Sequence, residues 1–570
     1  MKKYMYLVKI LYIFLLILPV VLMAYLSRTP NTGRYVYFST SNEINNPVND
    51  QHYSLSSYSG FDILGAVAHN MQSQMALTKV TSTYTIPVDN KESIHMLEDK
   101  HYSKMNIKFD KAPASLTQGT DRMLLSASPN YVVPTNSYNE KEVLGFLTYW
   151  QLVNYQTLQY DKLSTIAYFS IPCYDNGQWV TSDPGYAGFF SSNFAKMRQL
   201  AKQNKVKVVP VIKNFDARSI YRLVTNVNGA GDTLIDNIVT LVKDNQLDGV
   251  NIDFEYVAST AWPVNSTLRN GFVAWHDKLA RRLHTEVPGS LVSTDVFGSS
   301  PVGYDAYDLV ALGHSAVDYV DIMSYDYIVT SCYNGKKIAP ESPLYGNNLY
   351  GTPNWNVSYH ITQATLKMPS SKILMGVPYY GIDFKIVSSE RNNYNAHVDY
   401  ANGCGGAIET FGSIVDPDQD QWHNASTIKW NNTEKATYYT YNYNGVWRQG
   451  YYDDYNSFAA KYDFLRSSKL GGIAIWALGY DKGSSELYNV IRDKFQESPY
   501  IVGFSTSVTS DRITQIFNEV RVDVVQDLGN NMFRVKPRSE LSSTSINKMK
   551  AYPEVFSTGF EVSNVVRDVN

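Results

Sequence analysis

Two carboxyl groups and one amide stand at two-residue spacing in the otherwise apolar stretch LDGVNIDFEYV, residues 247–257; they belong to Asn251, Asp253 and Glu255. Successive side chains of a β-strand point to opposite faces, so these three would share one face and the apolar residues between them the other. Burying an unpaired charge costs several kcal/mol, so such a face needs a compensating reason. The alternatives are a polar plug in a core and a catalytic face at a strand end, and the repeated spacing favours the second.

A scaffold for these residues is indicated from Gly145 onward, where strand-like and helix-like segments alternate. Amphipathic stretches such as SNFAKMRQLAKQNK separate most of eight short apolar runs. Alternating strands and helices predict an α/β fold of parallel βαβ units, and eight of them predict a (β/α)8 TIM barrel. An open doubly wound sheet is the alternative, but no glycine-rich dinucleotide fingerprint follows the first run. The runs are residues 145–150, 164–171, 206–212, 248–256, 291–297, 317–327, 373–381 and 471–478.

The segment DGVNIDFEY, residues 248–256, resembles the DGxDxDxE signature of glycoside hydrolase family 18, the chitinase-like enzymes. Asn251 stands where the signature more often has aspartate, which removes one charge and keeps the pair Asp253 and Glu255. The segments MSYDY and GGIAIWALGYD resemble the family's sixth and eighth strands, and GFLTYW and GVPYYG suit the first and seventh. The resemblance covers roughly residues 143–496.

The resemblance implies roles for individual side chains. Glu255 would be the catalytic acid, Asp253 and Tyr325 would bind the acetamide group of the sugar, and Trp476 would stack beneath its ring. Tyr379 and Tyr149 lie near predicted strand ends and could line subsites, with barrel packing as the alternative. The predicted substrate-binding residues are Asn251, Trp476, Asp326, Met323, Tyr379 and Tyr149.

The spacing of the two carboxyl groups bears on the mechanism. Residues two apart on a strand are separated by about 6.6 Å and project from one side. Ordinary retaining glycosidases need an acid and a nucleophile on opposite sides of the bond. Asp253 and Glu255 therefore suit substrate-assisted catalysis, in which the 2-acetamido oxygen attacks the anomeric carbon.

Two segments depart from the common chitinase pattern. The third strand ends in Ile212-Lys213-Asn214-Phe215, where an SxGG-type ending is typical, and YYTY…GVWRQGYYDD occupies residues 438–454. Both features resemble the spore-cortex and peptidoglycan-cleaving N-acetylglucosaminidase branch. The segment from about 382 to 454 is too long for a plain βα loop, so we predict an insertion that walls one side of the groove.

Composition and cysteine spacing exclude some partners. The formal net charge of −3 gives no electrostatic reason to expect a nucleic-acid partner. The three cysteines are too scattered for a metal site and allow one disulfide, for which Cys332 and Cys404 are candidates. No cofactor is predicted.

The N-terminus predicts export. An uncharged run of 17 residues, 10–26, follows Lys2, Lys3 and Lys9. It fits a membrane anchor within residues 1–28 or a cleaved signal peptide, and the poor cleavage site favours the anchor. We therefore predict an extracytoplasmic protein held to the membrane by residues 10–26. The Ser/Asn/Tyr-rich extension 29–140 could be a stalk, a small β-rich module, or padding against the barrel of residues 141–496.

The C-terminal residues 497–570 form a separate predicted unit. Their pattern is β-α-β-β-α-β, which is the ferredoxin-like arrangement. It resembles the prodomain of subtilisin-like proteases, including a PEV element at residues 553–555. No protease domain accompanies it, so an interaction module with a protein partner is predicted.

The function predicted from these features is hydrolysis of β-1,4 bonds next to N-acetylglucosamine in peptidoglycan or chitin-type polymers. Two alternative functions are not enzymatic. One is a non-catalytic sugar-binding protein on the same fold, although both carboxyl groups are kept here. The other is a surface scaffold that works through its C-terminal module.

Overall fold

The computed structural model describes residues 92–105, 107–110, 139–328, 330, 332–346, 354–419, 425–496, 500–504, 507–520, 522–529, 531–537, 552 and 555–560. Among the helices of these ranges, none is long and apolar enough to cross a membrane. The predicted anchor at residues 10–26 lies outside the described residues and stays a prediction.

Eight parallel strands close into a barrel in the order β1-β13-β7-β6-β5-β4-β3-β2. The closing pair is β1 with β13, in which Leu144 is the register partner of Ala474. The predicted (β/α)8 barrel is therefore confirmed, and the open sheet is excluded because β1 has a neighbour on both sides. The strands are, in chain order, β1 (Glu142–Thr148), β2 (Thr165–Pro172), β3 (Lys207–Asn214), β4 (Gly249–Phe254), β5 (Leu291–Phe297), β6 (Tyr319–Met323), β7 (Ile373–Pro378), β8 (Tyr380–Lys385), β9 (Ala407–Thr410), β10 (Ala425–Asn431), β11 (Ala436–Tyr443), β12 (Val446–Tyr452), β13 (Gly472–Trp476), β14 (Tyr500–Phe504), β15 (Val522–Gly529), β16 (Met532–Pro537) and β17 (Val555–Phe560).

Most of the helices between barrel strands are capped by a polar side chain, and the longer ones are amphipathic. In the longest of them, residues 266–286, the Asn265 side chain accepts a hydrogen bond from the Leu268 N–H at 2.9 Å, which satisfies a donor of the first turn. Its buried residues Phe272, Leu279 and Leu283 recur at helical spacing and face the barrel. The helices are α1 (Ile94–Tyr102), α2 (Pro184–Phe189), α3 (Ser192–Gln203), α4 (Ala217–Val224), α5 (Ala230–Asp244), α6 (Ser266–Glu286), α7 (Leu309–His314), α8 (Val357–Thr365), α9 (Phe411–Ile414), α10 (Tyr455–Ser467), α11 (Glu486–Phe495) and α12 (Ser510–Val520).

Gly249 at the start of β4 is required by the close approach of β5. Its φ is +143°, and an added Cβ would lie 1.9 Å from the carbonyl oxygen of Leu291. We expect Gly249→Ala to lower the free energy of unfolding by about 2–4 kcal/mol, because the backbone must move apart or adopt a strained angle. Urea unfolding measures this change. Gly229→Ala is the control, since its φ is +76° but no atom lies within 4 Å of the added Cβ; an equal loss in both variants would contradict the close-approach argument.

A five-stranded antiparallel sheet of order β10-β11-β12-β8-β9 follows β7 and occupies the position of the predicted insertion. Inside it, Arg448 forms an ion pair with the buried Asp383, which also accepts a hydrogen bond from the Tyr441 hydroxyl at 2.6 Å. A disulfide joins Cys332, in the segment after β6, to Cys404, with a Cα–Cα distance of 5.8 Å. The insertion is thereby linked covalently to a loop at the carboxyl end of the barrel.

The C-terminal strands form an antiparallel sheet of order β15-β16-β14-β17, with α12 packed beside it. Its core contains Val502, Phe504, Ile516, Phe517 and Val535. This strand order is compatible with the predicted β-α-β-β-α-β arrangement. The second helix, predicted within residues 542–552, falls almost wholly outside the described residues, so the complete module and its likeness to a protease prodomain stay predictions.

Candidate active site

Strand β4 carries the three polar residues into the barrel interior. Asn251 and Asp253 lie on β4, Glu255 directly follows its end, and all three side chains are fully buried. Their alternation is a consequence of strand geometry, which places every second side chain on the inner face. Glu255 therefore stands at the carboxyl end of the barrel, where such folds place their active sites.

Asn251 lies beneath the other two and is held by the barrel itself. Its amide donates to Ser293 Oγ at 3.0 Å and to Asp295 Oδ1 at 2.8 Å, both on the neighbouring strand β5. These contacts give Asn251 a supporting position under Asp253. Its predicted role in substrate binding stays a prediction.

An imidazole ring occupies the space at the centre of the predicted site. His95, in helix α1, has Nδ1 2.9 Å from Asp253 Oδ2 and Nε2 2.9 Å from the Tyr325 hydroxyl. A carboxylate only accepts hydrogen bonds, so Nδ1 donates to Asp253, and Nε2 of a neutral ring accepts from Tyr325. The same ring stacks on Trp476 with centroids 3.6 Å apart and planes at 25°.

Other groups of α1 contact the rest of the site. Ser93 Oγ donates to Glu255 Oε1 at 2.8 Å and accepts from the Met96 N–H at 3.2 Å, so one hydroxyl both caps the helix and contacts the predicted acid. The Ile94 N–H donates to Asp326 Oδ2 at 2.7 Å. The indole N–H of Trp476 donates to Glu98 Oε2 at 2.8 Å.

The carboxyl groups of the site have perturbed pKa values. Burial, and then the nearby Asp253 carboxyl, raise the pKa of Glu255 well above its usual range, against a lowering hydrogen bond from Ser93. Burial also raises the pKa of Asp326, which accepts from the Tyr380 hydroxyl at 2.6 Å. A raised pKa favours the protonated form of Glu255, which a proton donor requires.

Two further carboxyl groups lie deeper in the barrel. Asp295 on β5 and Asp321 on β6 are register partners, both are fully buried, and both oxygens of Asp321 have no hydrogen-bond partner. Burial, followed by the charge of Asp253, raises the pKa of each well above its usual range. The folded chain therefore binds more protons here than the unfolded chain does.

We expect the stability of the protein to fall as pH rises, in part because of Asp321. Above the unfolded pKa of this group the unfolded chain loses its proton while the folded chain retains it, so each further pH unit favours unfolding. Asp321→Asn removes this titration and should reduce the fall in unfolding free energy between pH 5 and pH 8 by at least about 1 kcal/mol. Urea unfolding at both pH values measures it. The exposed Asp244→Asn is the control, and equal slopes in both variants and wild type would contradict the assignment.

The two tyrosines predicted near strand ends have different surroundings. Tyr379 packs against Phe458 of α10 and Tyr488 of α11, with ring centroids 5.6 Å and 6.4 Å apart, and thus faces the outer helices. The next residue, Tyr380, faces the site and binds Asp326. Tyr149 is buried beside Trp150, with ring centroids 4.7 Å apart.

Met323 lines a cleft next to the site. This cavity of about 180 Å³ is bordered by Phe297, Met323, Tyr325, Asp326 and Trp355, with Glu92 and Ser93 of the N-terminal segment at its edge. Ser93, His95 and Glu98 were not predicted as site residues. The sequence around them has no periodic or motif signal that links them to β4.

His95, Asp253 and Glu255 have possible ligand atoms within 4.8 Å of one another and could hold a metal ion. The Nδ1 to Oδ2 distance of 2.9 Å is that of a direct hydrogen bond, which accounts for the arrangement without an ion. The positions of these three side chains are therefore explained by hydrogen bonding between α1 and the barrel.

The sequence that forms this barrel matches a known protein family. The profile of Glycosyl hydrolases family 18 matches residues 131–481. The chain belongs to this family. The resemblance predicted from β4, β6 and β13 is confirmed at family level, whereas the likeness to the spore-cortex branch stays a prediction.

Several curated proteins are similar to part of this chain. Oviduct-specific glycoprotein of Ovis aries is 24% identical over 386 residues, which cover 64% of this chain and 69% of that protein. Chitotriosidase-1 of Mus musculus is 26% identical, covering 44% of this chain and 54% of that protein. Di-N-acetylchitobiase of Rattus norvegicus is 27% identical, covering 42% and 62%.

Solved structures of chitinases show a similar fold. An immunomodulatory active chitinase from Trichuris suis has a TM-score of 0.51 at 19% identity, covering 62% of this chain and 98% of that chain. A cell-surface-expressed, multi-modular chitinase from Paenibacillus sp. has a TM-score of 0.52 at 19% identity, covering 62% and 32%. At this identity the likeness is one of fold.

Proposed function

We propose that this family 18 protein hydrolyses β-1,4 bonds next to N-acetylglucosamine in chitin-type polymers or peptidoglycan. The observation that carries the proposal is the convergence of Asp253, Glu255, Tyr325 and Trp476 on one ring-sized space. Two carboxyl groups on one side, a phenol and an aromatic floor are suited to a sugar that carries an acetamide group.

The proposed reaction retains configuration and uses the substrate as nucleophile. The Glu255 carboxyl gives its proton to the glycosidic oxygen as the bond to the anomeric carbon breaks. The acetamide oxygen forms the new bond to that carbon, while Asp253 accepts from the acetamide N–H and stabilises the positive charge. Water then attacks the anomeric carbon, the bond from that carbon to the acetamide oxygen breaks, and Glu255 takes one proton of the water. The acetamide group is thereby restored on the sugar.

Mass spectrometry of products tests the proposal. The full chain is incubated with chitin oligomers and, separately, with purified peptidoglycan. Fragments that end in N-acetylglucosamine at a new reducing end are the expected result, and the substrate that yields them identifies the polymer. Binding of both polymers without any fragment would favour the non-catalytic sugar-binding alternative.

The protein is further proposed to be extracytoplasmic and anchored by residues 10–26. The Cys332–Cys404 disulfide supports export, because disulfides persist in oxidising compartments. We expect the full chain to remain with membranes after high-salt and alkaline washing, since the apolar run would span the bilayer. Fractionation with detection of the C-terminus checks this. Release of a mature form that begins near residue 25 would identify a cleaved signal peptide instead.

A further inference from the structure

We propose that the plug segment, residues 92–105, is an intramolecular inhibitor that occupies the sugar position of the active site. The identity of the excluded ligand, a sugar, rests on the proposed function. That it fills the space between Asp253, Tyr325 and Trp476 rests only on the geometry.

The imidazole of His95 makes the three contacts that the proposed mechanism assigns to the sugar. Its N–H donates to Asp253 as the acetamide N–H would, and its second nitrogen accepts from Tyr325 as the acetamide oxygen would. Its ring stacks on Trp476 at 3.6 Å, where the sugar ring would lie. Ring and sugar would use the same atoms at the same time, so their binding is mutually exclusive.

The proposed acid is also engaged by the plug segment. Ser93 Oγ donates to Glu255 Oε1 at 2.8 Å, so one oxygen of the proposed acid is already bound by the plug segment. The backbone N–H of Ile94 binds Asp326 at 2.7 Å. Three consecutive residues, 93–95, therefore occupy the cleft and bind the proposed acid.

A second set of contacts fixes the other half of the plug segment on the opposite side of the barrel mouth. Asp99 forms an ion pair with Lys213 at the end of β3, whose side chain is only 4% exposed. Tyr102 stacks on Trp150 after β1, with centroids 4.5 Å apart and planes at 13°. Glu98 binds the indole of Trp476 between the two halves. The segment therefore spans the mouth from β6 to β3.

The nature of these contacts distinguishes an inhibitor from a packing element. A helix that only covers a barrel would bury apolar side chains against it. The buried residues of α1 include apolar side chains, and they also include the polar His95 and Glu98, which bind groups that the reaction would use. A nine-residue helix is marginal on its own, so its order depends on this docking.

Variants in the plug segment test the proposal in the full chain. His95→Glu brings a third carboxyl group against Asp253 and Glu255, and Asp99→Lys faces Lys213 with a like charge; each should displace the segment without changing the barrel. Lys100→Ala is the matched control, because its side chain lies on the same helix and is 60% exposed. We expect the first two variants to hydrolyse a fluorogenic di-N-acetylchitobioside at least about tenfold faster than wild type, since an open fraction of a tenth or less limits the rate in proportion. Lys100→Ala should equal wild type.

A binding measurement gives a readout that does not depend on catalysis. A fluorescent synthetic peptide with the sequence of residues 92–105 is titrated into each protein, and a peptide of the same composition in scrambled order is the control. Binding to His95→Glu and Asp99→Lys with none to wild type is expected, because only the variants leave the site open. Fluorescence anisotropy measures it.

The outcomes separate this proposal from the proposed function. Equal turnover in all four proteins, together with no peptide binding, would overturn the inhibitor. Peptide binding to the two variants with no hydrolysis by any protein would support occupation of the cleft and reject the glycosidase. Faster turnover in Lys100→Ala as well would mean that release of the specific contacts is not what raises the rate, and would also overturn the inhibitor.

Discussion

Replacing Glu255 by Gln is expected to lower the turnover number for a chitin-type substrate by at least about 10²-fold, with sugar binding retained. Gln keeps the size of the side chain but has no proton to give to the leaving oxygen. Burial and the Asp253 carboxyl raise the pKa of Glu255, and this supplies the protonated form that Gln cannot replace. Glu255→Gln is compared with the wild-type chain. The comparison is repeated with His95→Glu added to both proteins, so that the site is equally accessible in each.

A matched control for this loss is Glu434→Gln. Glu434 is also a carboxyl whose pKa is raised by burial, to about 7, but it is partly exposed and binds Asn431 within the insertion. Stopped assays of fluorogenic di-N-acetylchitobioside give the turnover number, and titration with chitin oligomers gives the binding constant. Near-normal turnover in Glu255→Gln would remove this residue from the role of acid.

The second large effect concerns the acetamide group. A substrate in which the 2-acetamido group is replaced by hydroxyl should be cleaved at least about 10³-fold more slowly, because the positioned internal nucleophile is lost. Asp253 accepts from the His95 Nδ1–H at 2.9 Å, so it is placed to hold and charge-stabilise an acetamide N–H. Asp253→Asn should therefore lower the turnover number more than it weakens ground-state binding.

Proton NMR of the earliest products decides the stereochemistry that this mechanism requires. Release of the β anomer is expected, and a thiazoline analogue of the oxazoline intermediate should inhibit. The reference substrate is the matching N-acetylated oligomer, measured under the same conditions. Initial release of the α anomer would show inversion by water, and the role of Asp253 would then have to be abandoned.

The scaffold was predictable because its determinants are local. Each barrel strand is an apolar run of about six residues, and the predicted run 291–297 has the bounds of β5. The alternation of Asn251, Asp253 and Glu255 follows from strand geometry alone and identifies the carboxyl pair. The position of Gly249 can be read from the motif in the sequence. The requirement for glycine there comes from the tertiary structure, because the neighbouring strand approaches closely.

The side of the barrel on which Tyr379 or Tyr380 lies was not predictable. Strand β7 ends at Pro378 and β8 begins at Tyr380, so the chain passes from the barrel into the insertion at this point. A break between two strands resets the alternation of side chains, and two adjacent tyrosines offer no composition signal. Contacts with α10, α11 and Asp326 decide which tyrosine faces the site.

The sequence by itself determined the barrel, the carboxyl pair on β4 and the family, because strand period and motif spacing act over a few residues. Tertiary structure alone decided that residues 92–105 lie in the active site. His95 is 158 residues from Asp253 and 230 from Tyr325, and nothing in local propensity encodes a partner at that distance. Such docking depends on the complementarity of an already folded cleft, whose hydrogen-bonding groups and aromatic floor exist only after the strands have closed.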